Sequence, residues 1–259
     1  MPYMKMSRFN VEHSDDGATL IMNARGGGIL SLNREYTDKY QRVLQGDYED
    51  ADDLIHELKR GGMLIDDSRD EYAELKLQSR AARFSNTSLG LTVAPTMACN
   101  FCCPYCYEKG QEYTTMSERV VNQLPAFVRE NYPNITSLSV GWYGGEPLLG
   151  LGMIERITAL LKDAIGSMCT YSASIVTNGY LLTPDVARRL VTCGVKTAQI
   201  TIDGSKTDHD SRRILHDGTP TYERILQNIR DCANILQISI RSNVDKTNID
   251  TAFELLEYL

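Results

Sequence analysis

The rhythm of apolar positions changes near residue 89. Beyond it, short apolar runs at 89–93, 138–142, 173–176, 198–202 and 238–241 read as strands. Between them, 117–132, 153–164, a stretch opening at Thr183-Pro184, 222–236 and 249 onward repeat with helical spacing. The 117–132 helix puts Val120, Val121, Leu124, Phe127 and Val128 on one face, and Pro125 inside it predicts a kink or an early end. Thr183 reads as an N-cap, with Pro184 at the first helical position. Five strand–helix units in a row imply an α/β fold with a parallel sheet and right-handed crossovers, as an open sheet or a barrel. Polar and glycine residues collect after the strands, at the cysteines, Gly144-Gly145-Glu146-Pro147, Thr177-Asn178-Gly179 and Asp203-Gly204. In such folds the functional face lies at those strand ends. The last unit stops within its helix, so the expected architecture is an unclosed fragment of a longer protein.

Residues 1–75 follow a different pattern. Apolar runs at 19–23 and 28–32 flank Arg25-Gly26-Gly27-Gly28, a hairpin signal. Two helical stretches follow. One carries Tyr36, Tyr40, Val43 and Leu44 and stops at Gly46; the other carries Ala51, Leu54, Ile55 and Leu58 and stops at Gly61-Gly62. Met63-Leu64-Ile65 reads as a short strand. Hairpin, helix, helix, strand is a winged-helix-like α+β order, which a small capping subdomain would also produce. Residues 76–88 are polar and weakly patterned and read as a linker, leaving 89–259 as the second domain.

Composition narrows the classes. The net charge of -7 argues against nucleic acid or an anionic membrane as partner. Residues 1–88 hold 12 Lys and Arg against 16 Asp and Glu, so a winged helix there lacks the basic face that DNA demands. No run is long enough to span a membrane, and the N-terminus lacks a signal-peptide core, which points to the cytoplasm.

Thiols stay reduced there, so seven cysteines with four crowded into ACNFCCPYCYE do not suggest a disulfide framework. Cys99/Cys102 and Cys103/Cys106 form two abutting CxxC pairs, the donor set of a four-thiolate zinc or rubredoxin-like knuckle. Cys99, Cys103 and Cys106 also form CxxxCxxC with Cys102 as bystander. Three thiolates on a four-iron cluster leave one iron open for chemistry. The knuckle is awkward, because abutting pairs have no spacer to bring them around one ion. Cys169, Cys193 and Cys232 have apolar neighbours and read as core residues.

The stretch LTVAPTMACNFCCPYCYE resembles the cluster loop of radical S-adenosylmethionine (radical SAM) enzymes, with Tyr105 at the aromatic position of CxxxCx(aromatic)C. Tyr143 to Pro147 (YGGEP) matches the second-strand motif of that family. TNGYLLT, TIDGSKTDHDSRR and IRSNVDKTN resemble later segments of its peptide- and protein-modifying maturases, the SPASM-type and sulfatase-maturase-like subgroup. Cys102 departs from the subgroup, and the family's barrel has six strands against five here. The resemblance implies a partial barrel in which Cys99, Cys103 and Cys106 hold a [4Fe-4S] cluster. S-adenosylmethionine on the open iron is then cleaved reductively to a 5'-deoxyadenosyl radical, which takes hydrogen from a substrate. It further implies that Gly144, Gly145, Glu146 and Pro147 cradle the methionine end, with Glu146 on its ammonium. Tyr105 would lie near the adenine and Thr201 and Asp203 near the ribose. Asn178, Arg213 and Arg241 would serve the carboxylate or the pocket wall. No residue is singled out as catalytic toward the substrate.

Residues 1–75 resemble, in pattern only, the PqqD-like peptide-recognition domains fused to maturases of ribosomally made peptides. Such domains add a leader peptide as a strand, here implicating 19–32 and the neighbouring helix. The implied partners are a precursor peptide or protein and a flavodoxin- or ferredoxin-type electron donor. Formylglycine formation, as in anaerobic sulfatase maturation, and a non-catalytic peptide-binding module with a structural four-cysteine knuckle are the alternative functions.

Overall fold

The structure, a computed structural model, describes residues 4–251 and Leu255. The chain divides into two compact units, Met1–Phe84 and Ser85–Leu259.

In the first unit, β1 (Met4–Met6) pairs antiparallel with β5 (Leu64–Asp66). Strands β2 (Asn10–Asp15), β3 (Ala18–Asn23) and β4 (Ile29–Leu32) form an antiparallel sheet in the order β2-β3-β4. Strand alternation turns Ile21 inward, and Leu32 joins it against Tyr40 and Val43 of α1 (Arg34–Leu44) and Leu54 and Leu58 of α2 (Asp52–Arg60). Asn33 caps α1 by accepting from the Tyr36 amide. The polar stretch expected to be a linker is instead largely helical, as the C-terminal part of α3 (Glu71–Phe84). Its Ala, Leu, Glu, Lys and Arg are strong helix formers, so propensity makes a helix where no apolar stripe announces one. The buried Glu71 carboxylate anchors its start, accepting from Ser7 Oγ at 2.7 Å and the Arg8 amide at 2.9 Å.

The second unit is a five-stranded parallel sheet whose spatial order follows the chain: β6 (Ser88–Val93), β7 (Ser137–Trp142), β8 (Thr170–Thr177), β9 (Val195–Thr201) and β10 (Gln237–Arg241). The crossovers carry α4 (Glu118–Asn131), α5 (Leu151–Ile165), α6 (Pro184–Thr192), α7 (Lys206–Arg212) and α8 (Tyr222–Cys232). Consecutive right-handed crossovers build one side of a barrel. Among the described residues β6 and β10 are the two sheet edges, so this is a partial barrel. One sheet face presents Leu138, Val140, Trp142, Ile175, Ala198 and Ile200 to a core shared with Ile154, Ile157 and Leu161 of α5. Cys169, Cys193 and Cys232 are buried in that core. Helix α4 runs through Pro125 rather than ending there, because burial of the ring offsets the missing backbone bond. The expected helix from 249 begins at Ile249, and most of its length lies outside the described residues.

Candidate functional site

The C-terminal ends of all five strands meet around one cavity of about 280 Å³. The loop after β6 supplies Cys99, Cys103, Tyr105 and Cys106, and the turn after β7 supplies Gly144 and Gly145. Asn178 follows β8, Thr201 ends β9, Arg241 ends β10, and Arg213 follows α7. Each of these was a candidate from the sequence. Three further candidates, Glu146, Pro147 and Asp203, are buried behind the wall and touch residues that line it.

Glu146 has no exposed surface. Its Oε1 accepts from the Leu148 amide at 3.0 Å and Thr177 Oγ1 at 2.7 Å, and its Oε2 accepts from the Asn178 amide at 2.8 Å. The carboxylate therefore ties the turn after β7 to the end of β8 and caps the 3-10 turn Pro147–Gly150. Burial pushes its pKa up, against the pull of these three donors. Pro147 begins that turn, where a missing N–H costs nothing.

The glycines of the turn serve loop packing as much as the cavity. A Cβ on Gly144 would stand 2.4 Å from the Thr96 carbonyl oxygen, and one on Gly145 2.4 Å from those of Met97 and Ala98. This close approach lets the Gly145 amide reach Thr96 O at 3.2 Å and the Glu146 amide reach Ala98 O at 2.8 Å, directly before Cys99.

Tyr105 is held at its hydroxyl. It donates to the Asp203 carboxylate and accepts from Arg213 Nη1 at 2.7 Å. Asp203 in turn accepts from the Asn243 amide at 2.9 Å, so Asn243, which also lines the cavity, belongs to the site. Burial, with Asp203 beside it, raises the Tyr105 pKa to about 12. Arg213 is buried at the cavity wall, and among the described residues its Nε has no hydrogen-bond partner. His209, fully buried, accepts the Asp203 amide at Nδ1, which leaves the hydrogen on Nε2 for Thr221 Oγ1 at 3.1 Å. Thr221 passes the chain on to the Arg213 carbonyl at 2.5 Å. Nothing in residue spacing marks Asn243 or His209; the fold alone brings them to Asp203.

Burial pushes the Cys99 thiol up to about 11 and raises Cys103 as well. Coordination to a metal would hold such thiols as thiolates. Cys102 is exposed and donates its thiol to the Leu215 carbonyl at 3.4 Å. Among the described residues no three His, Cys, Asp or Glu side chains gather closely enough for a single metal ion. Cys99, Cys103 and Cys106 line one cavity, and three thiols on a four-iron cluster leave one iron without a protein ligand. The Arg213 guanidinium at the cavity wall suits a carboxylate, and the locked Tyr105 ring suits a flat heterocycle. The residues present therefore fit both a cluster and S-adenosylmethionine.

Residues 93–258 match the family model of the Radical SAM superfamily. The radical SAM cyclopropyl synthase TigE of Paramaledivibacter caminithermalis is 22% identical over 253 residues, covering 85% of this chain and 52% of that protein. A probable GTP 3',8-cyclase of Saccharolobus solfataricus is 27% identical over 180 residues, covering 68% and 54%. The chain thus spans about half the length of these relatives. Native anSMEcpe with bound AdoMet and Cp18Cys peptide superposes with TM-score 0.59 at 21% identity, over 66% of this chain and 48% of that one. Streptococcus suis SuiB bound to precursor peptide SuiA aligns over 99% of this chain and 60% of its own, with TM-score 0.50 and 13% identity. Among the described residues no helix is long and apolar enough to cross a membrane. The matched segment takes in every strand end around the cavity, and the chain belongs to the radical SAM superfamily, which works with a [4Fe-4S] cluster and S-adenosylmethionine.

Proposed function

We propose that this chain carries the cofactor-binding half-barrel of a radical SAM enzyme that modifies a peptide, together with a domain that recognises it. The observation that carries the reading is the sharing of one cavity by Cys99, Cys103, Cys106 and the conformationally locked Tyr105–Arg213 pair. When bound, the cluster and S-adenosylmethionine supply one-electron reduction and hydrogen-atom abstraction. Cys99, Cys103 and Cys106 hold the iron. Arg213 binds the methionine carboxylate, the Tyr105 ring walls the adenine, and Gly144 and Gly145 offer backbone to the methionine end. Asn178, Thr201 and Arg241 provide the remaining polar wall. Asp203 acts by fixing Tyr105, and Glu146 by fixing the glycine turn. All seven cysteines are free, as suits a cytoplasmic enzyme fed by a flavodoxin- or ferredoxin-type donor.

The peptide-recognition part rests on the first unit. Strand β3 is paired on both sides and has no edge to offer, so of the 19–32 hairpin only β4 accepts an added strand. A groove of about 210 Å³ runs beside it, between Ile29 and Leu30 and the end of α2 at Glu57 and Arg60. The alignment with SuiB takes in this unit as well as the half-barrel, and the precursor peptide bound to SuiB supports a peptide as the substrate class here.

Anaerobic reconstitution tests the core of the reading. The chain should take up roughly four irons, turn brown, and release 5'-deoxyadenosine from S-adenosylmethionine on reduction. Changing Cys99, Cys103 or Cys106 to Ala should abolish iron uptake, while Cys102→Ala should retain it. A colourless protein holding one zinc on all four cysteines would refute it.

A further inference from the structure

The three residues between Cys99 and Cys103 are gripped by two segments, one after β8 and one after α7. Asn100 Oδ1 accepts from Asn178 Nδ2 at 2.8 Å, after β8. The Phe101 ring is buried, edge-on to Tyr180 and beneath the Arg213 guanidinium at 5.7 Å. Cys102 faces the segment after α7: its amide donates to the Ile214 carbonyl at 3.0 Å and its thiol to the Leu215 carbonyl. Phe101 and Leu215 form an antiparallel bridge at the same place. One residue further, His216 Nε2 lies 2.9 Å from the Cys99 carbonyl. A carbonyl only accepts, so Nε2 carries the hydrogen and donates. Tyr113, from the far side of the cysteine loop, stands edge-on to the His216 ring at 6.3 Å.

We infer that residues 213–216 are a clasp on the cysteine loop, in which His216 and Cys102 are positioning residues for the backbone that carries the thiols. Two backbone contacts, a thiol and an imidazole all link one four-residue segment to the span between Cys99 and Cys103. A loop of this kind has no regular structure to fix its own peptide planes, and each plane it leaves free lets a thiol drift from its iron. The clasp also explains the fourth cysteine. Its thiol is engaged by the Leu215 carbonyl. The inference rests on the assignment of Cys99, Cys103 and Cys106 as cluster ligands, and it concerns retention of the cluster rather than the reaction.

Two measurements test it. After anaerobic reconstitution, iron loss to a chelator is followed by the decay of absorbance near about 400 nm in the wild type, His216→Ala, His216→Gln, Cys102→Ala and Cys102→Ser. All should start with the same iron content. Loss from His216→Ala should be about three- to tenfold faster, as expected for one hydrogen bond. His216→Gln, which keeps a donor, should return most of the way. Cys102→Ala should lose iron about twofold faster and Cys102→Ser should not. Equal rates in wild type and His216→Ala, or no recovery in His216→Gln, overturn the clasp. The second measurement needs no cluster. Hydrogen exchange in the iron-free chain should show the Cys102 amide protected, and less so in His216→Ala. An amide that exchanges at the rate of an unstructured loop in the wild type overturns the clasp. Failure of the wild type to bind iron defeats the cofactor reading and leaves this second arm to decide the clasp.

Discussion

Glu146 separates two roles that the sequence alone cannot. A carboxylate that meets the ligand should alter S-adenosylmethionine affinity when removed and leave stability nearly unchanged. A carboxylate that ties two strand ends should do the reverse. The structure favours the second role: no exposed surface, and three protein donors. Glu146→Ala orphans the buried Leu148 and Asn178 amides and the Thr177 hydroxyl. At about 1–3 kcal/mol for each unsatisfied group, with some relief by water, the loss is about 4 kcal/mol. With a urea dependence of about 2 kcal/mol per molar, the midpoint falls by about 2 M. Glu146→Gln keeps the volume and one acceptor but confronts one donor with its NH2, so it should lose about half as much. Trp142 is the only tryptophan, is buried, and ends the strand that leads to Glu146. Its fluorescence reports unfolding of the second unit alone. The sign of the pH dependence gives a second check. Burial raises the folded pKa of Glu146, so the proton-linked part of its contribution, separate from the hydrogen bonds, is full below the unfolded value near about 4.3 and is lost as pH rises through the folded one. Glu146→Gln should lack that limb. An Ala midpoint within about 0.3 M of wild type, together with a collapse of ligand affinity, would refute the reasoning.

His209 gives the opposite pH signature. Burial first, and then the Arg213 cation, lower its pKa from 6.5 to about 4, although Asp203 and Asp210 pull the other way. The folded state therefore binds fewer protons than the unfolded one, and the second unit should lose up to about 3 kcal/mol as pH falls from 6.5 to 4. Trp142 unfolding midpoints across that range should slope in the wild type and flatten in His209→Gln; parallel slopes would show that His209 is not the group responsible. Gly145→Ala forces a Cβ against two carbonyl oxygens at the entrance to the cysteine loop, so iron uptake should fall at least several-fold. Gly152→Ala, in α5 with nothing within 4 Å of its Cβ, is the control and should be neutral or slightly stabilising, which a thermal melt checks.

What could be read from the sequence was whatever short-range chemistry determines. The five parallel strands show because apolar residues recur along them, as Leu138, Val140 and Trp142 do in β7, and glycine or proline marks the turn after each of the first four. The thiol spacing and YGGEP lie within short stretches of chain, so their meaning survives without tertiary information. Strand β2, NVEHSD, does not show, because five of its six residues are exposed and only pairing with β3 makes it a strand. Helix α3 does not show because Glu71 is its only buried residue, so nothing in its periodicity distinguishes it from a polar linker. The site divides along the same line. Tyr105 lies about a hundred residues from Asp203 and Arg213 in the chain, and their motifs identify them one by one. That Asp203 meets the Tyr105 hydroxyl, and Glu146 the Thr177-Asn178 backbone, depends on which strand lies next to which. An acidic residue beside a glycine turn is compatible with both a ligand and a tie. Full burial with three donors in place favours the tie, and burial is a property of the packed sheet rather than of any motif.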